Sequence, residues 1–280
     1  MERTAGRSEV VVGLIDGPVR LDHAGLSAAN IRALPGRGDG GCLQADSLAC
    51  RHGTFIAGVL VAKRGSVAPA LCPGCTLLVR PLFAETTTGS EGMPDATPEE
   101  LADAVLESMA AGARVLNLSV GLARISSRRE SALEAALDEA ARRGVLVIVA
   151  AGNQGTVGSS ALTRHPWVIP VVACDGQGRP TPESNLGSSI GRRGLSAPGD
   201  AVTSLGTTGP SMTTGGTSVA VPFVTGTIAL LWSEFPDASA VAIKLALTRG
   251  GALRRSTVVP PLLDAGPAYE SLRQTYQLAL

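Results

Sequence analysis

Ser218 stands where a serine could act as a nucleophile. It follows a Gly-Gly-Thr run and begins an apolar stretch that is predicted to form a helix. A serine hydroxyl is a weak nucleophile and needs a neighbouring base to remove its proton. The free backbone N–H groups at a helix start would favour an oxyanion that forms beside this serine. Taken alone, however, Ser218 is more simply explained as a helix cap.

A base and an orienting carboxylate are also present. Histidine suits the role of base near neutral pH, and the chain has three. His52 lies where a loop meets the predicted start of a helix, whereas His23 and His165 lie in loops and are expected to be surface residues. Asp16 directly follows a buried strand, where its carboxylate could accept the imidazole N–H and fix the tautomer. On its own, Asp16 would be explained as a turn residue.

Two further segments offer groups that could bind a substrate. Asn153 follows Ala150, Ala151 and Gly152 at the end of an apolar strand, and its amide could donate to an oxyanion. An Asn after Gly is also a common turn signal. The segment of Ser119, Val120 and Gly121 could present an open strand edge to an extended peptide.

Apolar runs of strand length alternate with longer helical patterns, which is typical of an α/β fold with a mostly parallel sheet and crossover helices. Because ligands of such folds bind at the carboxyl ends of the strands, we expect the polar residues that follow the strands to meet there. No repeat or long linker is evident, so we predict one domain over residues 1–280. The predicted strands cover residues 10–15, 76–83, 115–119, 145–151 and 168–173, and the predicted helices 52–62, 98–110, 129–143, 218–235 and 237–249.

The charge balance argues against nucleic-acid or membrane binding. Lys and Arg total 24, as do Asp and Glu, whereas nucleic acids and anionic membranes attract a cationic face. No apolar run approaches the roughly 18 residues of a membrane span. The polar start, residues 1–9, lacks the basic-then-apolar pattern of a secretory signal. We therefore expect the cytoplasm as the location.

The five cysteines allow several kinds of site. A reducing compartment would keep them as thiols. Cys72 and Cys75 form a CxxC that could be a turn with two thiols, a structural bridge, a redox-active pair or half of a metal site. A zinc site would need two more ligands, and Cys42 and Cys50 lie eight residues apart instead of three. We predict no metal site here and leave the disulfide pairing open.

The order Asp, His, Asn and Ser along the chain resembles the subtilisin-like serine proteases (subtilases, peptidase family S8). The likeness extends from residue 10 to about residue 272, and a chance match of every block in order is very improbable. The matching segments are LIDG at 14–17, HGTFIAG at 52–58, VAP at 67–69, NLSVG at 117–121, AGN at 151–153, SAPG at 196–199, GTSVAVP at 216–222 and LDA at 263–265.

The resemblance implies a three-layer subtilisin-like fold and a role for each candidate residue. Ser218 would be the nucleophile, His52 the general base and acid, and Asp16 its orienting partner. The Asn153 side chain and the Ser218 amide would form the oxyanion hole. The segment from Ser119 to Gly121, through Val120, would pair with the substrate backbone.

The primary specificity pocket would then lie between that strand and Ala150, Ala151 and Gly152. The resemblance implies no required cofactor. The calcium loop that many secreted subtilases insert after the catalytic histidine is missing from this sequence, although weak calcium binding elsewhere is left open.

Departures from the family pattern point to a subgroup. Phe55 and Phe223 stand where many subtilases have histidines, and Asp16 is followed by Gly-Pro-Val instead of the commoner Ser/Thr-Gly. This variant looks like the subtilases that mature cyanobactins and related ribosomal peptides. Macrocyclising relatives insert extra helices between Asp and His, whereas only 36 residues separate Asp16 from His52. We therefore expect hydrolysis rather than cyclisation.

The expected function is a serine endopeptidase that cleaves, through an acyl-enzyme, the leader of a ribosomally made precursor peptide. A partner protein of a biosynthetic pathway is left open. One alternative is a broad-specificity intracellular protease. A second is a catalytically silent scaffold that binds peptides, which the complete set of Asp16, His52, Asn153 and Ser218 disfavours. A thiol-redox protein built on Cys72 and Cys75 is disfavoured because the motif lies in a turn before a strand.

Overall fold

A parallel sheet forms the centre of the molecule in the computed structural model, which describes residues 3–36, 40–85, 96–119, 130–249 and 258–276. Its seven strands are all paired in parallel, in the order β2-β3-β1-β4-β5-β6-β7. A separate antiparallel hairpin consists of β8 and β9. The strands are β1 Val11–Asp16, β2 Asn30–Ala33, β3 Thr76–Pro81, β4 Val115–Leu118, β5 Leu146–Ala150, β6 Ile169–Cys174, β7 Leu195–Pro198, β8 Val202–Ser204 and β9 Met212–Thr214.

Helices cover both faces of the sheet, so the molecule has three layers. Successive strand residues point to opposite faces: Leu14 packs in the core with α1 and α6, and Ile15 in the core with α2 and α3. The predicted α/β fold is thus confirmed. The helices are α1 Leu48–Val61, α2 Pro98–Ala110, α3 Glu130–Arg143, α4 Ala161–Arg164, α5 Ser188–Arg193, α6 Thr217–Glu234, α7 Ala240–Arg249 and α8 Ala265–Tyr276, with a short 3-10 helix at Ala24–Leu26.

Helix α1 begins four residues before the predicted start at His52. Ser47 caps it by accepting the Cys50 N–H, and its fourteen residues run from Leu48 to Val61. Gly53 lies inside this helix, and a Cβ there would lie 2.5 Å from the carbonyl oxygens of Gly17 and Pro18. That glycine therefore allows α1 to pack closely against the segment that follows β1.

A disulfide between Cys42 and Cys50 ties this helix to the loop before it. The sequence left the pairing of the cysteines open, and the structure pairs these two. The Glu85 carboxylate holds the same loop, because it accepts the N–H groups of Leu43 and Gln44, each at 2.8 Å. The start of α1 is thus fixed by a covalent bond and by an anion bound to backbone amides.

None of the helices in the described residues is long and apolar enough to cross a membrane. The cytoplasmic location and the single domain over residues 1–280 stay predictions.

Candidate active site

Asp16, His52 and Ser218 come from three elements and meet at the carboxyl ends of the strands. Asp16 ends β1, His52 lies in the second turn of α1, and Ser218 lies in the first turn of α6. The His52 Nδ1 is 2.7 Å from Asp16 Oδ1, and its Nε2 is 3.0 Å from Ser218 Oγ. An imidazole that donates from Nδ1 to a carboxylate presents an accepting Nε2. The arrangement can therefore take a proton from the serine hydroxyl.

Two opposing effects act on the pKa of His52. Burial lowers its pKa, because a dry environment disfavours the imidazolium, but the charge of Asp16 and its hydrogen bond outweigh burial, and the net pKa is raised above 6.5. Asp16 is fully buried, and the His52 side chain is 14% exposed. Asp16 Oδ1 also accepts the Gly17 N–H at 2.6 Å. Its Oδ2 has no hydrogen-bond partner among the described residues.

The carbonyl of Ser218 lacks its usual helical N–H partner because of a proline one turn later. Pro222 has no N–H, so it cannot make the helical hydrogen bond to the residue four positions earlier. The Ser119 hydroxyl donates to the Ser218 carbonyl instead, at 3.1 Å. Asn117 Nδ2 donates to Ser119 Oγ at 2.8 Å, and Thr225 Oγ1 donates to Asn117 Oδ1 at 3.0 Å. This chain of hydrogen bonds joins β4 to the start of α6.

Two donors at the start of α6 have no acceptor in the described part of the chain: the Ser218 N–H and Asn153 Nδ2. The first is one of the N–H groups that a helix start leaves unpaired. Asn153 Oδ1 accepts the Thr217 N–H at 2.8 Å and the Thr217 hydroxyl at 2.9 Å. This fixes the amide so that Nδ2 lies 3.2 Å from where a Cβ on Gly216 would be. Both donors can serve a negatively charged oxygen.

Those of the other predicted binding residues that the structure describes also lie at the carboxyl ends of the strands. Ser119 directly follows β4, whose Leu118 pairs with Val149 of β5, so Ser119 lies beside Ala150. Ala150 and Ala151 are buried, and Gly152 adopts a φ of 105°. The predicted residues Val120 and Gly121 lie outside the described residues.

The two remaining histidines have local structural contacts. His23 Nδ1 accepts the Gly25 N–H and so caps the 3-10 helix. Burial lowers the pKa of His23, and Arg20 lowers it further. His165 is only 8% exposed and its Nε2 lies 3.2 Å from Asp138 Oδ1, so the expectation that it is a surface residue is wrong. Neither has a contact with Ser218.

The role of Thr217 does not follow from the sequence pattern. Its hydroxyl donates to Asn153 Oδ1 and accepts the Gly152 N–H at 3.1 Å, so it joins the end of β5 to the start of α6. The feature of the sequence that could have indicated this role is the position of a hydroxyl residue directly before the nucleophile.

A family model described as the subtilase family (Peptidase_S8) matches residues 7–256. The chain belongs to the subtilase family. The resemblance seen in the sequence is thereby confirmed. A thermostable alkaline protease of Halalkalibacterium halodurans is 30% identical over 187 residues, which cover 66% of this chain and 48% of that protein. The alignment thus spans about half of that relative.

Solved structures of peptide-maturation proteases are similar to this subtilase over nearly their whole length. A mutant of the protease domain of PatA is 26% identical, with a TM-score of 0.86 and coverage of 98% of this chain and 99% of that one. The prenylagaramide maturation protease PagA is 25% identical, with a TM-score of 0.82 and coverage of 97% and 96%.

The CxxC of this subtilase is a turn with two buried thiols, one of the two plainer interpretations of the motif. The Cys75 N–H donates to the Cys72 carbonyl at 3.0 Å. The hydrogen bond between the thiols raises the pKa of Cys72, as does burial, and lowers the pKa of Cys75. Among the described residues, the one cluster of three candidate metal ligands is Cys42, Cys50 and Glu85. Its two cysteines are bridged and so offer no thiolates.

Proposed function

We propose that this subtilase is a serine endopeptidase that hydrolyses peptide bonds through an acyl-enzyme. The observation that carries the proposal is the continuous line of hydrogen-bonding distances from Asp16 through His52 to the Ser218 hydroxyl. The nucleophile also lies beside two unpaired donors, its own N–H and Asn153 Nδ2. A base without a nucleophile, or either without donors for the oxyanion, would not suffice for acyl transfer.

In the first half of the reaction, Ser218 Oγ attacks the carbonyl carbon of the scissile bond while His52 Nε2 takes the hydroxyl proton. The charged imidazolium is stabilised by Asp16. The carbonyl oxygen becomes an oxyanion, which accepts from the Ser218 N–H and Asn153 Nδ2. His52 then gives its proton to the leaving amine as the carbon–nitrogen bond breaks.

In the second half, a water molecule attacks the acyl-enzyme and His52 takes one of its protons. A second oxyanion forms between the same two donors. Its collapse breaks the bond to Ser218 Oγ, which recovers the proton from His52. The products are a carboxylic acid and the free enzyme.

We further propose that the substrate is a ribosomally made precursor peptide whose leader is removed. The support is the similarity to the protease domain of PatA and to PagA, which is named as a prenylagaramide maturation protease. The described residues between Asp16 and His52 hold a short 3-10 helix, strand β2 and the start of α1. A cytoplasmic location remains part of this proposal, a partner protein of a biosynthetic pathway is left open, and no cofactor is assigned a role.

The first test is labelling with a fluorophosphonate probe, read by intact mass. The wild type should gain one adduct and Ser218→Ala none. Ser211→Ala, which removes an exposed serine near the same helix, should label like the wild type. A folded wild type without an adduct would contradict the proposal and favour a silent scaffold.

The second test concerns the substrate. The wild-type protein that gains the adduct is incubated with a peptide library. If a leader junction is the target, cleavage should be confined to a narrow class of sequences. Uniform cleavage of unrelated peptides would support the broad-specificity alternative and overturn the leader proposal.

A further inference from the structure

Asn185 lies on the loop between β6 and α5 and engages residues on both sides of Asn153. Its Oδ1 accepts the N–H groups of Gln154 and Thr156, each at 3.1 Å, and the Thr156 hydroxyl at 3.0 Å. Its Nδ2 donates to Gln154 Oε1 at 2.6 Å. Its own N–H donates to the Gly152 carbonyl at 2.9 Å. The Asn185 side chain thus holds residues 154 and 156, and its main-chain N–H holds residue 152.

The backbone of this loop needs such support. Gly152 has a φ of 105°, in the left-handed region that favours glycine, and a Cβ there would overlap the Asn185 amide. Asn153, Gln154 and Thr156 are exposed, so burial in a core does not fix them. The loop is held mainly by hydrogen bonds. Apart from the bonds within the loop and those to α6, most of them are made by Asn185.

Asn153 is therefore held at two independent points. Thr217 fixes the side-chain amide through Oδ1. Asn185 fixes the backbone from which that side chain projects. A donor to an oxyanion must be within a narrow range of distance, so a shift of the backbone would misplace Nδ2 even with the contact to Thr217 intact.

We propose that Asn185 is a positioning residue for the oxyanion donor Asn153. The inference rests on the proposed peptidase function and deepens it, since it assigns a role in transition-state stabilisation to a residue that is not itself one of the two oxyanion donors. Removal of the Asn185 side chain should leave substrate binding nearly intact and should lower the rate of the acyl-transfer step.

The test is a double-mutant cycle on the full chain with a peptide substrate, using Asn185→Ala, Asn153→Ala and the double variant. Asn185→Ala should lower kcat by about 10- to 100-fold with KM changed by less than about twofold, because a misplaced donor forfeits much of what it supplies. In the Asn153→Ala background the same change should cost about twofold or less, because the donor it positions is already gone.

Two controls separate positioning from a general effect on the fold. Glu183→Ala, an exposed change on the same loop, should keep the wild-type kcat. Asn185→Asp keeps the accepting oxygen for Gln154 and Thr156 and should lose less activity than Asn185→Ala. If the alanine variant does not fold, the aspartate variant takes its place in the cycle.

The outcomes distinguish the two proposals. Equal losses from Asn185→Ala with and without Asn153, or a loss confined to KM, would overturn the positioning role while the peptidase function stands. Wild-type kcat in Asn185→Ala would do the same. A wild type that neither labels with fluorophosphonate nor cleaves peptide would overturn both.

Discussion

The two sides of the active site are built differently. On the proton-transfer side, Asp16 is fully buried, His52 is bound to it at 2.7 Å, and a disulfide fixes the start of the helix that carries the histidine. On the oxyanion side, Asn153 is exposed, its loop is held by uncharged hydrogen bonds, and its Nδ2 makes none in the described part of the chain.

The difference follows from what each side must do. The base has to hold one tautomer before substrate arrives, so its partner is in place at all times. The oxyanion donors have to be unpaired before the reaction and correctly placed during it, so their fixed contacts lie on neighbouring atoms. Loss of a partner should therefore be more damaging on the first side.

The largest effect is expected for Asp16→Asn. This change keeps the shape but removes the charge and the preferred tautomer, and we expect kcat to fall by about 10⁴-fold, the size known for the same change in a serine-protease triad. Steady-state cleavage of a peptide measures it. Asp22→Asn, which alters an exposed carboxylate paired with Arg20, is the matched control and should be near wild type. A loss below tenfold would mean that the buried side is not the more critical one.

On the oxyanion side, Asn153→Ala should lower kcat by about 100- to 1,000-fold with little change in KM, because only the transition state uses the donor. Asn153→Asp keeps the oxygen that accepts from Thr217 but lacks the donor. It should lose at least as much activity. An active aspartate variant would show that anchoring to Thr217 matters and donation does not.

The disulfide should matter for stability more than for chemistry. The double change Cys42→Ser and Cys50→Ser should lower the free energy of unfolding by about 2–3 kcal/mol, the entropy of closing a short loop. Denaturant unfolding with and without reductant measures it. Reductant should destabilise the wild type to the level of the variant and leave the variant unchanged; an equal response of both proteins would argue against the bridge.

The smallest effect is a displaced pH profile. Activity requires neutral His52, so kcat/KM should rise with pH through the raised pKa, with its midpoint above 6.5. The sign for stability is opposite: the bond between protonated His52 and Asp16 stabilises the fold below pH 6.5 and is lost as pH rises through the folded-state pKa. Asp16→Asn should move the midpoint of activity down. An acid limb at or below 6.5 in the wild type would contradict the balance between Asp16 and burial.

Local signals in the sequence predicted some elements closely. Helix α2 spans Pro98–Ala110 as predicted, because its capping box of Thr97 and Glu100 and the proline at its first position are encoded within one turn. Strands β2, β7, β8 and β9 were not predicted. The first is short and mostly exposed, so its pattern does not differ from that of a loop.

The triad residues could be found from the order and spacing of their motifs along the chain, and the structure brings them together. The support around them could not be found in the same way. The contacts of Asn185 with the Asn153 loop span about thirty residues of sequence, and the pairing of Cys42 with Cys50 depends on how the loop folds over α1. Such contacts depend on tertiary structure that a pattern of residue types does not specify.

The N-terminal residues 5–7 lie over the two free thiols of the CxxC. The Ala5 carbonyl accepts the Gly74 N–H at 2.7 Å, the Arg7 N–H donates to Ser233 at 3.0 Å, and a Cβ on Gly6 would lie 2.5 Å from Cys75 Sγ. Both cysteines are buried, so we expect an alkylating reagent to reach Cys75 when this segment lifts away. The rate at which Cys75 is alkylated should therefore measure how often this segment opens. An assay of peptide cleavage would not detect that motion.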